Sequence, residues 1–233
     1  MKMQRAIFQH HLQQRVKPND NVLDAGCGPG TFARDLIEIG AKVTCLDLSK
    51  VQLDACRQQV PGCEAYVQGS VTDLGQFATD SFDVALAYGG VLSYCFDQFP
   101  TALSELIRVT RPGGRVGLSV MNLLGTIHTF LPAVLTIPVS TNQEILKSGD
   151  LTRTVNEGHE CHMFRVSELS QLLTDSGLEA IELHASGWLI YGNDVEIPEP
   201  HTDAWRYLFE AELEASRESP GAGTHIIAWG VVR

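Results

Sequence analysis

The chain has 233 residues, 44% of them hydrophobic, which is enough for the core of one domain of the larger sort. Its formal net charge of −11 at pH 7 disfavours a large nucleic-acid interface, because such interfaces need a basic surface. The six cysteines form no Cys-x-x-Cys pair, so we expect reduced thiols and a cytoplasmic protein. Residues 1–16 are polar and helix-like, which indicates no signal peptide.

A glycine-rich turn follows the first predicted strand. Residues 22–30 read VLDAGCGPG, in which an apolar run leads into three alternating glycines. Residues 31–40 carry apolar side chains at helical spacing and end in Gly40, and a second strand-like run follows at 43–46. Glycine adopts positive φ at little cost, and a helix N-terminus attracts anionic groups. The strand–turn–helix–strand unit therefore predicts a ligand cradle.

The spacing of the glycines and one acidic residue indicate the kind of ligand. Gly26, Gly28 and Gly30 read G-x-G-x-G, whereas a dinucleotide fingerprint reads G-x-G-x-x-G and would place its third glycine at Thr31. Asp47 ends the second strand, where a carboxylate can accept hydrogen bonds from both hydroxyls of a ribose. The pattern predicts a nucleoside site, and it disfavours the alternative of an oxidoreductase that binds a dinucleotide.

The glycine motif, Asp47 and the later RPGG turn together resemble the class I S-adenosylmethionine-dependent methyltransferases. Further stretches are similar to that family's fourth strand and loop, helix and fifth strand, late helix and sixth strand, and closing strand: 81–94, 102–120, 164–183 and 224–233. The resemblance implies an α/β fold, with one Rossmann-like domain over residues 1–233. Its seven-stranded sheet is mostly parallel with an antiparallel last strand, and helices cover both faces.

Residues 122–161 are predicted to be an insertion in that fold. No charged residue stands between Arg115 and Glu144, a length that could span a bilayer. Pro132 and Pro138 interrupt this segment and its first part alternates like a buried strand, so we expect an apolar flap and no membrane span. In the family this region commonly helps build the substrate site. The alternative is that the insertion only covers the core.

The resemblance implies S-adenosyl-L-methionine as the cofactor. It assigns the methionyl part to the backbone of Gly26, Cys27 and Gly28, the ribose to Asp47, and the adenine face to Leu48.

Other cofactor contacts are implied with alternatives. Many members of the family carry an aspartate where this chain has Ser70. The contact with the adenine amino group is therefore assigned to Ser70, Val71 or the backbone, and Asp73 is a further alternative. Tyr88 follows the fourth strand, where the family meets the methionine portion, and a core tyrosine is the alternative. Arg5 is expected to pair with the cofactor carboxylate, although an ordinary surface arginine is an equal reading.

The candidate catalytic residues are His159, His162 and Tyr88. By resemblance the methyl group is displaced in line, and a hydroxyl or amine acceptor would need a general base near neutral pKa. The two histidines stand in GHECHMFR, residues 158–165, where a structural turn is the alternative. Their spacing around Cys161 also suggests a metal, but zinc needs four ligands and no second cluster is visible in the sequence, so no metal is predicted.

The expected activity is methyl transfer to the oxygen, nitrogen or sulfur of a small-molecule acceptor. Residues 118–125 and 207–233 loosely resemble enzymes that methylate a carboxymethoxy group on a tRNA wobble uridine, but the acidity of the chain disfavours RNA. A protein that binds the cofactor without catalysis is a further alternative. We expect a small-molecule partner, no nucleic acid and no membrane, and the sequence predicts no oligomeric state.

Overall fold

The computed structural model describes residues 2–152, 160–190 and 196–233. Helices and strands alternate through the first part: α1 (Lys2–Arg15), β1 (Asn21–Ala25), α2 (Thr31–Ile39), β2 (Lys42–Asp47), α3 (Lys50–Gln59), β3 (Ala65–Gln68) and β4 (Phe82–Ala87). A 3-10 segment follows (Leu92–Gln98), and then α4 (Phe99–Val109), β5 (Thr110–Met121), α5 (Leu123–Thr129), α6 (Leu131–Val134), α7 (Val139–Ser148) and β6 (Asp150–Leu151). The last elements are β7 (Cys161–His162), α8 (Val166–Asp175), β8 (Glu179–Ser186), α9 (Asp203–Glu218) and β9 (His225–Val231).

Seven strands form one sheet in the order β3-β2-β1-β4-β5-β9-β8. β1 to β5 pair in parallel, and β9 is antiparallel to both of its neighbours, β5 and β8. This confirms the predicted fold class. The chain runs from β1 to β2 in one direction and returns to place β4 on the other side of β1. Such a reversal opens a crevice at the carboxyl ends of the strands, where ligands bind in folds of this type.

Helices cover both faces of the sheet, as predicted, and each face has its own apolar core. One core joins α4 and α8 to the sheet, and the other joins α1, α2 and α3 to it. Consecutive residues of β1 alternate between them: Leu23 packs in the first core and Val22 in the second. The apolar runs that predict strands here are buried on both sides, as expected for a parallel sheet between two helical layers.

The RPGG stretch differs in detail from its predicted role as a turn before the fifth strand. β5 begins at Thr110, before RPGG, and its pairing with β4 shifts across the stretch. Phe82 pairs with Thr110 while Val84 pairs with Arg115. The extra residues on β5 are accommodated as a bulge, and Gly113 at its centre has φ 75°.

Over residues 122–152, the insertion folds into three short helices and the strand β6, which pairs with β7. Pro132 lies in the first turn of α6 and Pro138 caps α7, so both prolines begin helices. Several large apolar side chains of these helices are exposed, and we call them the insertion patch: Leu124, Phe130, Leu131, Leu135, Val139 and Leu146. Among the helices of the described part of the chain, none has the length and hydropathy needed to cross a membrane.

Helix α1 buries a histidine against the far edge of the sheet. The His11 side chain is 2% exposed, and its ring centroid lies 4.5 Å from that of His184 on β8. Arg15 approaches His11 Nδ1 at 3.2 Å and pairs with Glu182. Burial, aided by the charges of His184, Arg15 and His10, lowers the pKa of His11 to about 2. The ring is therefore neutral in the folded protein.

We expect this histidine to make the protein sensitive to acid. The unfolded chain takes up a proton at His11 near pH 6.5, whereas the folded chain excludes it down to about pH 2, so this share of stability is lost as pH falls through that window. Between pH 7 and pH 5 the wild type should lose about 2 kcal/mol more unfolding free energy than His11→Phe. Urea unfolding at the two pH values measures this, with exposed His128→Phe as control. Equal losses in wild type and His11→Phe would contradict it.

Candidate active site

A cavity of about 690 Å³ lies at the carboxyl ends of the strands where the sheet order reverses. Its lining comes from the glycine turn after β1, the end of β2, Gln52 of α3, residues 69–72 after β3, and residues within 89–98 after β4. Its volume lies in the range of small-molecule and cofactor sites. The cavity therefore occupies the place at which the sequence predicts a nucleoside site.

Backbone hydrogen bonds tie the glycine turn to the end of β2. The N–H groups of Gly26 and Cys27 donate to the carbonyl oxygen of Leu46 at 2.7 and 3.0 Å. The N–H of Gly28 donates to Oδ2 of Asp47 at 2.8 Å. The shape of the turn and the position of the Asp47 carboxylate therefore depend on each other.

Two glycines of the turn are required for different reasons. Gly26 has φ 78°, and a Cβ built on it would lie 2.4 Å from Cγ2 of Val91. Gly28 has φ 51°, and a Cβ built on it would meet nothing within 4 Å. Gly28 also lines the cavity, so its missing side chain leaves space there for a ligand.

The Asp47 carboxylate is held by one hydrogen bond on each oxygen. Oδ2 accepts from Gly28, and Oδ1 accepts from the N–H of Ser49 at 2.8 Å. A carboxylate offers about four acceptor positions, so each oxygen retains capacity for another donor. Because Asp47 lines the cavity, these positions suit the two hydroxyls of a ribose. The residues present thus fit the sugar of an S-adenosyl cofactor.

Apolar side chains flank the carboxylate. Leu48 is 72% exposed beside the cavity, and buried Val71 contributes to its wall. Ser70 also lines the cavity, but its hydroxyl lies 2.7 Å from that of Thr72 and accepts from the Thr72 N–H at 3.2 Å. The pair Leu48 and Val71 suits a flat aromatic base, while the Ser70 hydroxyl is engaged within its own turn.

Tyr88 lies in the core, away from the cavity. Its ring packs edge-on against Phe8, Phe32 and Trp229 at centroid distances of 5.1, 5.2 and 5.9 Å. Burial raises the pKa of its hydroxyl. The structure thus gives Tyr88 the packing role that was its alternative reading, since it points into the helical layer from the end of β4. The next residue, Gly89, lines the cavity instead.

The 3-10 segment forms a cavity wall that sequence reasoning missed. Tyr94, Phe96 and Asp97 line the cavity from this segment, and Phe96 has the unusual dihedral angles φ 46° and ψ −127°. The glycine pair 89–90 precedes it with φ of 84° and 83°. Two consecutive glycines directly after a strand were the signal available in the sequence, because they permit a sharp backbone turn beside a ligand.

Arg5 is engaged outside the cavity. Its Nη2 donates to Oδ1 of Asp35 at 2.6 Å, and Gln9 donates to the same oxygen at 2.8 Å. This hydrogen bond raises the pKa of Arg5. The interaction joins α1 to α2, so the structure does not bring Arg5 to the predicted cofactor carboxylate. The Cys27 side chain is also turned away from the cavity, into the core.

The His162 ring lies between two carboxylates. The other candidate histidine, His159, lies outside the described residues. Nδ1 of His162 is 2.8 Å from Oδ1 of Asp150, and Nε2 is 2.9 Å from Oε1 of Glu168. Its ring stacks on Phe99 at 5.3 Å. Both ring nitrogens are thus engaged by carboxylates, and His162 is not among the residues that line the cavity. The arrangement supports the segment before α4, which lines the cavity.

We expect His162→Ala to destabilise the protein by about 2 kcal/mol, because the change removes two hydrogen bonds to charged groups and the contact with Phe99. Urea unfolding measures the loss, with His128→Ala on the surface of α5 as control. A structural role predicts that the methyl transfer expected from the sequence, measured well below the unfolding midpoint, stays within a few-fold of wild type. A large loss of turnover with unchanged stability would instead restore His162 as a base.

Comparison with known proteins connects this geometry to a family. Residues 23–118 match the family model described as a methyltransferase domain. The chain is 39% identical over 105 residues to a malonyl-[acyl-carrier protein] O-methyltransferase of Serratia marcescens, a match that covers 45% of this chain and 39% of that protein. It is 41% identical over 112 residues to a probable phthiotriol/phenolphthiotriol dimycocerosates methyltransferase 2 of Mycobacterium ulcerans, covering 46% and 42%.

Solved structures extend the likeness of fold to the whole chain. An S-adenosylmethionine dependent methyltransferase from Mesorhizobium loti aligns with a TM-score of 0.62 at 22% identity, covering 95% of this chain and 94% of that one. In sequence, by contrast, the chain spans about two fifths of the length of the curated relatives it matches. The family model covers the strands and loops that build the cavity, from β1 into β5. Residues 23–118 are thus similar in sequence to a methyltransferase domain, and the chain as a whole shares its fold with a solved S-adenosylmethionine dependent methyltransferase.

Proposed function

We propose that this protein transfers the methyl group of S-adenosylmethionine to a small-molecule acceptor. The observation that carries the proposal is the cavity in which the glycine turn, the Asp47 carboxylate and the apolar pair Leu48 and Val71 meet. When bound, the cofactor supplies an electrophilic methyl group on a sulfonium. The chain supplies a site of suitable volume and the donor and acceptor groups described above.

Each part of the cavity has a proposed task. Asp47, fixed through Gly28 and Ser49, accepts hydrogen bonds from the ribose hydroxyls. Leu48 and Val71 hold the adenine between apolar surfaces. The open space at Gly28 admits the remainder of the cofactor. Holding the methyl donor in one orientation supplies much of the acceleration available to an in-line displacement.

The acceptor is proposed to be partly apolar and to enter between the 3-10 segment and the insertion. Two features support this: Tyr94 and Phe96 line the cavity, and the insertion patch exposes apolar side chains on α5, α6 and α7. The described lining residues include no histidine, and Asp97 is their carboxylate besides Asp47. An acceptor whose nucleophile is already ionised, or is deprotonated by Asp97, suits this wall.

The methyl acceptor of this chain is not inferred from the names of its relatives. One acts on a malonyl group carried by acyl-carrier protein and another on phthiotriol dimycocerosates, according to their names. The family model ends at residue 118, before the insertion begins. The shared part is therefore the proposed cofactor half, and the acceptor half is particular to each protein.

A cytoplasmic location is proposed because the cysteines are unpaired. All six are free thiols in the structure, and four of them are buried. Buried unpaired thiols suit a reducing compartment.

Calorimetry on protein freed of co-purified ligand tests the proposal. S-adenosylmethionine and S-adenosylhomocysteine are expected to bind in the micromolar range, and NAD is not. Turnover is then followed as release of S-adenosylhomocysteine with panels of small acids, thiols and amines, and with tRNA. Binding of NAD alone would overturn the cofactor assignment. Turnover with tRNA alone would favour the RNA alternative, and binding without any turnover would favour a non-catalytic protein.

A further inference from the structure

Four cysteines from four separate elements gather behind the glycine turn, and we call them the thiol cluster: Cys27, Cys45, Cys56 and Cys63. The Sγ of Cys45 lies 3.4 Å from that of Cys63 and 3.6 Å from that of Cys56. The sulfur atoms of Cys27, Cys45 and Cys56 all lie within 4.8 Å of one another. Neither the proposed methyl transfer nor the cofactor contacts make use of these sulfur atoms.

The members of the thiol cluster have unequal environments. Cys27, Cys45 and Cys56 are buried, whereas Cys63 is partly exposed. The thiol of Cys45 donates to the sulfur of Cys63, and this hydrogen bond, aided by Tyr66, lowers the pKa of Cys63 to about 7. Burial raises the pKa of Cys56 to about 12. Cys63 is thus the accessible member with thiolate character, and Cys45 is the thiol hydrogen-bonded to it.

The surroundings favour a neutral product over a bound metal ion. Three buried thiolates on a divalent cation would carry a net negative charge into the apolar core between the sheet, α2 and α3. Asp24 is also buried here, and burial raises the pKa of its carboxyl to about 7, which indicates that this region opposes negative charge. A disulfide carries no charge. The arrangement of an accessible thiolate beside a second thiol is typical of redox-sensitive cysteines.

We propose that Cys63 is oxidised by hydrogen peroxide and that Cys45 then closes a disulfide with it. In the first step the Cys63 thiolate attacks one peroxide oxygen, an S–O bond forms, the O–O bond breaks, and the leaving hydroxide takes a proton to become water. In the second step Cys45 attacks the Cys63 sulfur, the S–S bond forms and the S–O bond breaks. The hydroxyl leaves as water with the Cys45 proton. Two thiols lose two electrons, and one peroxide is reduced to two waters.

The disulfide has a structural consequence for the cavity. The two sulfur atoms must move from 3.4 Å to about 2.05 Å apart, which displaces the end of β2 or the loop that carries Cys63. Cys45 stands two residues before Asp47, and the intervening Leu46 accepts the N–H groups of the glycine turn. Resting on the proposed function, we expect the oxidised protein to bind S-adenosylhomocysteine at least threefold more weakly than the reduced protein.

Peptide mapping of the full-length protein after peroxide treatment tests the proposal without any cofactor. The wild type should lose two hydrogen atoms in intact mass, yield one Cys45–Cys63 cross-linked peptide, and recover with dithiothreitol. Cys63→Ser should form no disulfide and react with peroxide at least about tenfold more slowly. Cys45→Ala should accumulate sulfenic acid on Cys63, trapped by dimedone, and should do so more slowly than the wild type is oxidised, because the hydrogen bond that favours the Cys63 thiolate is lost. Cys161→Ser is the matched control, because burial raises the pKa of that thiol to about 11, and it should behave as wild type.

Three results would overturn the proposal. The first is oxidation of Cys63→Ser at the wild-type rate. The second is a Cys45–Cys56 disulfide in the wild type in place of the Cys45–Cys63 bond. The third is a stoichiometric thiophilic metal in the purified protein that blocks the reaction. Calorimetry with the reduced protein tests cofactor binding separately, so failure of the proposed function leaves the mapping result interpretable.

Discussion

Asp47→Asn is expected to weaken binding of S-adenosylhomocysteine about tenfold to a hundredfold while the fold is retained. Both oxygens of Asp47 accept backbone N–H groups, from Gly28 and Ser49. An asparagine amide has one oxygen, so its NH₂ group must face one of these donors and one hydrogen bond is lost. The proposed ribose contacts also lose their charged acceptor. Hydrogen bonds to charged groups contribute about 1.5–3 kcal/mol each, which sets the expected factor.

The matched control for this variant is Asp54→Asn. Asp54 lies on neighbouring α3 and pairs with Lys50 on the surface, so the change removes the same charge without touching the cavity. Calorimetry gives the affinities, and circular dichroism with urea unfolding verifies the fold. The two variants have the same net charge. If Asp47 holds the ribose, Asp47→Asn should bind S-adenosylhomocysteine more weakly than Asp54→Asn does. Equal affinities in the two variants would show that Asp47 does not hold the ribose.

The local part of this site was predictable from sequence because its signals are short-range. The glycine turn, the helix that Gly40 ends and the carboxylate at the end of β2 all lie within one strand–helix–strand unit. Gly40 has φ 93°, and its N–H caps the helix through Ile37 as a glycine stop should. A pattern of this kind fixes backbone geometry over a few residues, and the family resemblance then supplied the order of the strands.

Side-chain direction and long-range partners were not predictable in the same way. Tyr88 and Gly89 are adjacent, yet one packs in the core and the other lines the cavity, because successive residues at a strand end point to opposite sides. Arg5 finds its partner, Asp35, thirty positions along the chain. The spacing of residues in the sequence predicts neither outcome, because in each case the deciding contact is made by an element far away in the chain.

The thiol cluster is the clearest case of this limit. In the sequence its members stand apart, with no Cys-x-x-Cys pair and no metal-ligand spacing. Parallel pairing sets Cys45 beside the residues that follow α3, and α3 carries Cys56 over the same strand. Only the crossover topology brings the four sulfur atoms together. Sequence reasoning therefore predicted a ligand site on the side of the glycine turn where the cavity lies, and it missed the thiol cluster on the other side.

Alanine at Gly26 and alanine at Gly28 are expected to differ in their effects on stability and on binding, although only two positions separate them. Gly26→Ala should cost about 3 kcal/mol of unfolding free energy, because the added Cβ lies 2.4 Å from Val91 and positive φ adds strain. Gly28→Ala should cost about 1 kcal/mol, from strain alone. Its Cβ meets no protein atom and enters the cavity, so the proposed cofactor should bind at least tenfold more weakly.

A double-mutant cycle separates packing from backbone strain at Gly26. Val91→Ala removes the two methyl groups that the new Cβ would meet, so Gly26→Ala should cost about 1–2 kcal/mol less in that background. The same replacement should leave the cost of Gly28→Ala unchanged, which makes it the internal control. Urea unfolding supplies the free energies and calorimetry supplies the affinities. If Gly28→Ala destabilised the protein as much as Gly26→Ala and bound cofactor normally, the open space at Gly28 would serve the fold and not the ligand.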